Sequence, residues 1–312
     1  MPQSGHRDSW AAPVAAIQPR GWAIVCDAQA ATVVGHSANL SALLPHRAGA
    51  FLGAAPRDLV GSETSHALRN ALSRAVAATR PTLVPCRTIA GLDGFYDFAV
   101  HASGEQTIIE IEASGGPDAA ALDRARGMIE RLSRADGLDR LGLMATRLLF
   151  SILQWDCVTF LRLAPDGAAR MIARQKRADW PHAAEDEALL AGFSPESSAF
   201  AATARPRFLS DASAAPVFLA GAEADFSLAY LRAATADEKA RAAGAGFAAL
   251  LALPILVEGE LWGVLQAHDR QARSLTMEER AVFDLFEDFL SLSIQSALWR
   301  QAATEGRRTH AH

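Results

Sequence analysis

Ile17-Gln18-Pro19-Arg20-Gly21 separates a coil-like N-terminus from the first predicted strand, and the other elements of the first half follow from it in order. Residues 1–16 lack hydrophobic periodicity and contain two prolines and a glycine, which predicts extended coil. After the stretch, the pattern predicts two strands, several short helices, a long helix at 62–79 and three more strands. A five-stranded antiparallel sheet with helices on one face would account for residues 21–113.

The last two of these strands carry alternating patterns. From Phe95 to Ala102 the residues alternate with period two, which is typical of a half-buried strand. In the next strand, Glu110 and Glu112 flank Ile111. Because charged side chains rarely lie in a core, we expect both glutamates on an exposed face of the sheet.

A cluster of turn-forming residues, Ser114-Gly115-Gly116-Pro117, marks a domain boundary. Beyond it the pattern predicts two helices, two strands, an irregular segment at 178–245, two further strands and a closing helix. Thr276 and Glu279 form a capping box at the start of that helix. The predicted ranges are 119–134 and 138–153 for the first helices, 157–163 and 168–174 for the first strand pair, and 247–257 and 261–269 for the second.

Composition restricts the classes of function. A chain of 312 residues predicts two domains, and a net charge of −5 gives no reason to expect nucleic acid as a partner. The N-terminus has no long apolar run, so we expect neither a signal peptide nor a membrane span, and a cytoplasmic location. Cys26, Cys86 and Cys157 are too scattered for a disulfide framework or a structural zinc site. No phosphate-binding loop and no nucleophile–base motif is present, so we expect no enzymatic activity in this chain.

Several short motifs resemble those of phytochromes, the bilin-binding red-light sensors. Residues 17–21 resemble the Ile-Gln-Pro-His-Gly signature of the phytochrome PAS domain, and 261–268 resemble Leu-Trp-Gly-Leu-Ile-Ala-Cys-His of its GAF domain. Tyr230-Leu231-Arg232 is similar to the Val-Leu-Arg that precedes the segment lining the pigment. The resemblance, to bacteriophytochromes in particular, extends from about residue 6 to 300.

This resemblance implies an α+β fold with a PAS domain followed by a GAF domain, each an antiparallel sheet with helices. The implied boundaries are an N-terminal segment at 1–20, a PAS domain at 21–115, a GAF domain at 117–300, and a tail or truncated connecting helix at 301–312. It also implies that the N-terminal segment is threaded through a loop of the GAF domain, forming a knot.

By resemblance, Arg207 and Arg232 occupy the positions of arginines that hold the two propionates of the bilin, and His268 faces its outer ring carbonyl. A guanidinium suits this role because it makes bidentate, charge-assisted hydrogen bonds to a carboxylate. The competing interpretation is that the arginines form surface or loop ion pairs and that His268 is a structural histidine.

Other positions of the implied pocket have lost the family's residue. His6 stands where bacterial members carry the bilin-attaching cysteine, and Asp237 stands at the attachment cysteine of plant and cyanobacterial members. Ser197 replaces an aspartate, Glu238 a water-ordering histidine and Arg241 a tyrosine. Further changes place Leu161, Leu250 and Ala252 where the family has a tyrosine and two hydroxyl residues.

These losses predict a sensory input module without covalent bilin, without red/far-red photochemistry and without a bound cofactor, retained as a light-independent sensor. Redox sensing through Cys26, Cys86 or Cys157 is one such role, provided that a thiol is accessible and acidic. The alternatives are a photoreceptor that binds biliverdin non-covalently and a ligand-free dimerisation module. The resemblance also implies a homodimer through the closing helix, followed by a PHY domain and a histidine kinase or other output domain.

Overall fold

A computed structural model of the chain describes residues 15–47, 49–75, 80–164, 168–180 and 205–309. The chain divides into two compact units that do not follow its order. The first unit comprises residues 1–119, 213–238 and 274–279, and the second comprises 120–212, 239–273 and 280–312. Two segments from the second half of the sequence therefore belong to the first unit.

The first unit is built on one sheet with helices between its strands. Its strands are β1 (Ala16–Ile17), β2 (Trp22–Asp27), β3 (Val33–Ser37), β4 (Thr82–Arg87), β5 (Phe95–Ser103), β6 (Gln106–Ser114) and β10 (Val217–Gly221). Its helices are α1 (Leu40–Leu43), α2 (Pro56–Val60) and α3 (Ser62–Ala75), with a short 3-10 turn at Pro45–Arg47.

The order of strands across this sheet is β1-β10-β3-β2-β6-β5-β4, with every neighbouring pair antiparallel. Five of them, β2 to β6, are the five strands predicted from the sequence, so the predicted PAS arrangement is confirmed. The sheet is wider than predicted because β10 pairs with β3 and β1 pairs with β10. The predicted threading of the N-terminal segment stays a prediction.

Both faces of this sheet are covered. One face packs against the helices through a core that includes Ile24, Phe98 and Ile111. On the other face, Ile17 and Ile108 pack against residues 224–231, which lie far along the chain. The expectation of a half-buried strand at 95–102 is therefore wrong, since residues 97–101 of β5 are all buried.

The expectation that Glu110 and Glu112 lie on an exposed face is also wrong. Their exposed fractions are 0% and 3%. Each has a polar partner: the Leu231 N–H donates to Oε2 of Glu110 at 2.6 Å, and Nε of Arg20 lies 3.0 Å from Oε1 of Glu112. The two carboxylates therefore join β6 to residues distant in sequence.

The second unit has a five-stranded antiparallel sheet in the order β8-β7-β12-β11-β9. The predicted succession of helices, strands and closing helix is confirmed, and β9 is an addition from the segment predicted to be irregular. The elements are α4 (Ala121–Leu132), α5 (Leu138–Leu153), β7 (Cys157–Leu163), β8 (Ala169–Lys176), β9 (Arg207–Leu209), β11 (Ala249–Val257) and β12 (Glu260–Asp269). Two helices, α6 (Ala236–Ala245) and α7 (Met277–Thr309), begin within the residues of the first unit and continue in the second. No helix within the described ranges is long and apolar enough to cross a membrane.

An ion pair fixes the ends of β7 and β12 beside each other. Asp156 precedes β7, and Oδ2 of its carboxylate accepts from the backbone N–H and from Nε of Arg270, each at 3.0 Å. Burial alone would raise the pKa of Asp156, but the hydrogen bonds and the charge of Arg270 hold it below its usual range. The ion pair therefore stabilises the strand register in which Cys157 of β7 lies opposite His268 of β12.

Candidate functional site

The sheet of the second unit has one face that packs against helix α5. Gly142 of α5 lies so close to Phe160 and Ile172 that an added Cβ would come within 2.9–3.3 Å of their side-chain atoms, closer than ordinary van der Waals contact. Because side chains alternate along a strand, the neighbours of Phe160, namely Thr159 and Leu161, point to the opposite face. The candidate site lies on that opposite face.

Strand register aligns the polar residues of this face. Thr159 of β7 lies opposite Gln266 of β12, Gln266 lies opposite Ala252 of β11, and Ala252 lies opposite Arg207 of β9. His268 is two residues farther along β12 than Gln266, so it shares the face. We call Thr159, Gln266, His268 and Arg207 the polar sheet face.

The polar sheet face is buried, with exposed fractions of 0% for Thr159, 1% for Gln266 and His268, and 4% for Arg207. Three of its polar atoms have no hydrogen-bond partner within the described structure: Oγ1 of Thr159, Nε2 of Gln266 and Nδ1 of His268. Each buried polar group without a partner costs about 1–3 kcal/mol. Such groups in a folded protein point to a water molecule or a ligand that completes them.

His268 is neutral in this environment. Complete burial lowers the pKa of its imidazole to about 3, because the charged form would lose its hydration. The ring packs on Phe247, with 4.5 Å between the ring centroids, and His268 lies opposite Cys157 and Leu250 in the sheet. A neutral imidazole offers one donor and one acceptor, so His268 suits a hydrogen bond to a carbonyl or an N–H group rather than a charge pair.

Arg207 lies on β9, two strands from His268 on the same face, so the structure brings these two predicted site residues together on one sheet. Its 4% exposure excludes the interpretation of a solvated surface arginine. Leu161 and Leu250, which stand where the family has polar residues, are buried on this face as well. The face therefore combines a buried cation and uncharged hydrogen-bonding groups with apolar bulk.

Arg232 lies in the first unit, in the segment that packs on the PAS sheet. Its Nη2 lies 3.6 Å from Oε1 of Glu238, and both side chains are buried. Ile17 forms a β-bridge with Arg232, and Nε2 of Gln18 donates to the Arg232 carbonyl at 3.2 Å. Arg232 is therefore held by an internal carboxylate and by the stretch that opens the sheet.

The Ile17–Gly21 stretch has a structural role that its sequence did not reveal. The backbone N–H of Gln18 donates to the Leu231 carbonyl at 2.7 Å. Arg20, at the histidine position of the family signature, pairs with Glu112 and donates to the Leu275 carbonyl at 2.8 Å. The stretch therefore connects β1, β6 and residues 231–232 and 274–275. The sequence could have suggested that Arg20 pairs with a glutamate, but it does not indicate which of the several glutamates is the partner.

Of the remaining predicted positions, two lie within the described residues and two lie outside them. Asp237 is exposed on α6, and Arg241 of the same helix is half-buried. His6 and Ser197 lie outside the described residues. Among the described residues, no group of three or more metal-ligating side chains is present.

Two of the three cysteines are too buried to be reactive thiols for redox chemistry. Cys26 and Cys157 are both 0% exposed. Burial and the nearby charge of Asp27 raise the pKa of the Cys26 thiol to about 12, which leaves almost no reactive thiolate at neutral pH. Cys86 is half-buried on β4 and has a positive φ of 52°. Cys86 is therefore the most accessible of the three thiols.

Comparisons with known proteins agree with this architecture. Residues 12–114 match the PAS fold family, and residues 138–294 match the GAF domain family. The chain is similar to the crystal structure of the chromophore-binding domain of an unusual bacteriophytochrome, RpBphP3 from R. palustris. The match has a TM-score of 0.73 and 21% identity, and it covers 92% of this chain and 97% of that one.

A longer crystal structure of RpBphP3, from the same photosynthetic bacterium, matches with a TM-score of 0.80 and 20% identity over 97% of this chain. The match covers 64% of that longer chain, so the present chain spans less than two thirds of its length. The chain therefore belongs to the GAF domain family, carries a PAS fold domain before its GAF domain, and has the fold of a bacteriophytochrome chromophore-binding domain.

Proposed function

We propose that this chain is the sensory input part of a bacteriophytochrome-like signalling protein whose GAF domain binds a small organic ligand non-covalently. Biliverdin is the first candidate because the similar bacteriophytochrome structure is described as a chromophore-binding domain. The observation that carries the proposal is the polar sheet face, where three buried polar atoms lack a partner within the described structure.

A ligand explains this face better than a purely structural role does. A module filled by its own side chains gains stability when apolar residues replace unpartnered polar ones. Thr159, Gln266 and His268 instead keep their hydrogen-bonding groups buried, at a combined cost of several kcal/mol. This cost is understandable if a ligand with complementary donors and acceptors completes the site.

Covalent attachment and the photochemistry of the family are not part of this proposal. His6 and Asp237 stand at the two attachment positions implied by the resemblance, and neither can form a thioether. Leu161 and Leu250 add apolar bulk to the face on which polar contacts would be needed. Redox sensing by Cys26 or Cys157 is disfavoured by their burial, although Cys86 stays a candidate for oxidation.

Replacing Gln266 with leucine should change stability and ligand binding in opposite directions. The exchange removes a buried amide whose Nε2 has no partner in the described part of the chain, so the melting temperature of the free protein should rise, by the equivalent of about 1 kcal/mol. The affinity for biliverdin should fall about tenfold because one hydrogen bond to the ligand is lost. Thermal unfolding with and without biliverdin measures both effects, since a ligand at 100 times its Kd stabilises by about 2.7 kcal/mol.

Thr146→Val is the matched control for this experiment. Thr146 is fully buried on α5, and its hydroxyl already donates to the Gly142 carbonyl at 2.8 Å. The valine variant should lose a little stability and keep the ligand affinity of the original protein. A melting temperature that does not respond to biliverdin in any variant would contradict the proposal and favour the ligand-free dimerisation module.

We also propose that the chain forms a homodimer through helix α7 and delivers its signal to a downstream PHY and kinase or other output domain, without being an enzyme itself. Three exposed apolar side chains on α7 support the dimer: Leu285, Leu292 and Trp299, exposed by 45%, 66% and 57%. Their spacing of seven residues places them on one side of the helix, as in a coiled-coil seam. Phe283 of the same helix is buried and does not contribute to this surface.

Introducing glutamate at Leu292 should weaken the homodimer by at least about tenfold, because the charge must be buried in an apolar interface. Sedimentation equilibrium measures the dissociation constant. Ala102→Glu is the control, since it adds the same charge at an exposed position of β5 in the first unit. Equal dissociation constants for the two variants would contradict an α7 interface.

A further inference from the structure

On the basis of the homodimer proposed above, we propose that Trp299 is the principal anchor of the contact with a second copy of this chain, and that Glu258 positions its indole ring. Trp299 lies on α7 and is 57% exposed. Its Nε1 donates to Oε1 of Glu258 at 3.0 Å. Both residues belong to the second unit, so this exposed tryptophan is held by a contact within its own unit.

The turn that carries Glu258 has a defined geometry. Val257 of β11 lies opposite Glu260 of β12, so Glu258 and Gly259 form a two-residue hairpin loop. Their φ angles of 55° and 83° are both positive, as a type I′ turn requires. The strand pair therefore determines the point from which the Glu258 side chain extends toward α7.

A second hydrogen bond joins this turn to α7. The Glu258 backbone N–H donates to Oε1 of Gln295 at 3.2 Å. Gln295 and Trp299 are four residues apart, so they are neighbours on the surface of the helix. Glu258 therefore contacts α7 through its backbone and through its carboxylate, and the second of these contacts holds the indole in one orientation.

The contact with Glu258 prepares Trp299 for an interface. The only polar group of an indole is its N–H, and here that donor is already paired with a carboxylate in a charge-assisted hydrogen bond. A partner that covers the ring therefore buries apolar area without leaving an unpaired donor. A side chain whose orientation is already set also loses less conformational entropy on binding. Tryptophans with these properties contribute a large share of the binding energy in many interfaces.

The position of Trp299 favours a second copy of the chain as the partner. We call the exposed residues Leu285, Leu292 and Trp299 the α7 seam. Leu285 and Trp299 are equally far from Leu292 in the sequence, and at 1.5 Å per residue the seam is about 21 Å long. A row that is evenly spaced about its middle residue is complementary to itself, as the interface of a two-fold symmetric dimer requires. Trp299 is the largest side chain of this row.

Sedimentation equilibrium of the full chain measures the dissociation constant of the dimer. Trp299→Ala should raise this constant about thirtyfold, the effect expected when a hot-spot residue is truncated. Phe218→Ala is the matched control, because Phe218 is an aromatic residue of β10 in the first unit and is 65% exposed. The control should leave the dissociation constant unchanged. Melting curves show that each variant is folded before sedimentation.

Glu258 is tested through its dependence on the indole N–H. Glu258→Ala should raise the dissociation constant about fivefold, whereas Glu258→Gln, whose amide oxygen still accepts, should stay within about twofold of the original protein. Trp299→Phe keeps an aromatic ring but removes the N–H. In the Trp299→Phe background Glu258→Ala should have no further effect. An effect of the same size in both backgrounds would overturn the positioning role of Glu258.

The outcomes separate this inference from the proposed homodimer. A dimer that is weakened by Leu292→Glu but not by Trp299→Ala would overturn the role of Trp299 and leave the α7 interface intact. An original protein that stays monomeric over the whole measured concentration range would overturn both. An equal loss in Trp299→Ala and Phe218→Ala would show a general effect of removing exposed aromatic residues and would also overturn the inference.

Discussion

Replacing Arg20 with alanine should lower the free energy of unfolding of the first unit by about 3–5 kcal/mol, the range found when one partner of a buried ion pair is removed. Nε of Arg20 lies 3.0 Å from Oε1 of Glu112, whose side chain is 4% exposed. Without the guanidinium, the buried carboxylate of Glu112 would lose the positive charge that Arg20 supplies. Urea unfolding measures this free energy, and hydrogen exchange at backbone amides of the first unit shows that the loss of stability lies in that unit.

The double variant Arg20→Ala with Glu112→Ala isolates the pair from the loss of packing. If the buried carboxylate causes the instability, the double variant should be less destabilised than the sum of the two single variants. Arg20→Lys keeps the charge but loses the fork that also reaches the Leu275 carbonyl, so it should be intermediate. A loss below about 0.5 kcal/mol for Arg20→Ala would contradict this role of the signature stretch.

The second large effect is expected at Glu110. Replacing it with alanine should cost about 2–4 kcal/mol, since the Leu231 N–H would lose its acceptor and a cavity would remain in the buried face. Glu110 is 0% exposed, and its Oε2 accepts from that N–H at 2.6 Å. Hydrogen exchange at residues 229–233 should accelerate because these residues are held to β6 through this contact.

Glu110→Gln is the matched control, since the amide oxygen can still accept from Leu231. It should lose no more than about 1 kcal/mol and should leave exchange at 229–233 slow. An equal loss in the alanine and glutamine variants would show that the charge of Glu110, rather than its hydrogen bond, stabilises this face.

The order of strands and helices could be predicted from the sequence because it depends on local patterns. Helix α5 has the predicted bounds, 138–153, since its apolar residues recur at helical spacing and Gly137 marks its start. The hairpin of β11 and β12 is indicated by two apolar runs around Gly259. In such segments, the neighbours that decide the structure are close in sequence.

The covered second face of the PAS sheet could not be predicted from local patterns. β10 pairs with β3 across about 180 residues of sequence, and residues 224–231 bury the face that carries Glu110. A glutamate beside an isoleucine gives the same local pattern whether a distant segment covers it or water does. Only the contact with Leu231 distinguishes the two cases.

The candidate site was predicted only in part. Arg207 and His268 followed from resemblance, and the structure places both on the polar sheet face. Thr159 and Gln266 were missed because a threonine and a glutamine within apolar strands have no distinctive spacing. Their importance appears only when the register of β7 and β12 sets them opposite each other, with buried polar atoms that lack partners in the described structure.

The most direct measurement of the central claim is the absorbance spectrum of the protein purified after co-expression with a source of biliverdin, repeated after red illumination and after denaturation. Non-covalent binding at the polar sheet face predicts a coloured protein whose spectrum does not photoconvert and whose pigment separates from the denatured chain. A colourless protein would contradict the binding of biliverdin at this face. Pigment that stays on the denatured chain would contradict the absence of a covalent bond, and red/far-red conversion would contradict the loss of photochemistry.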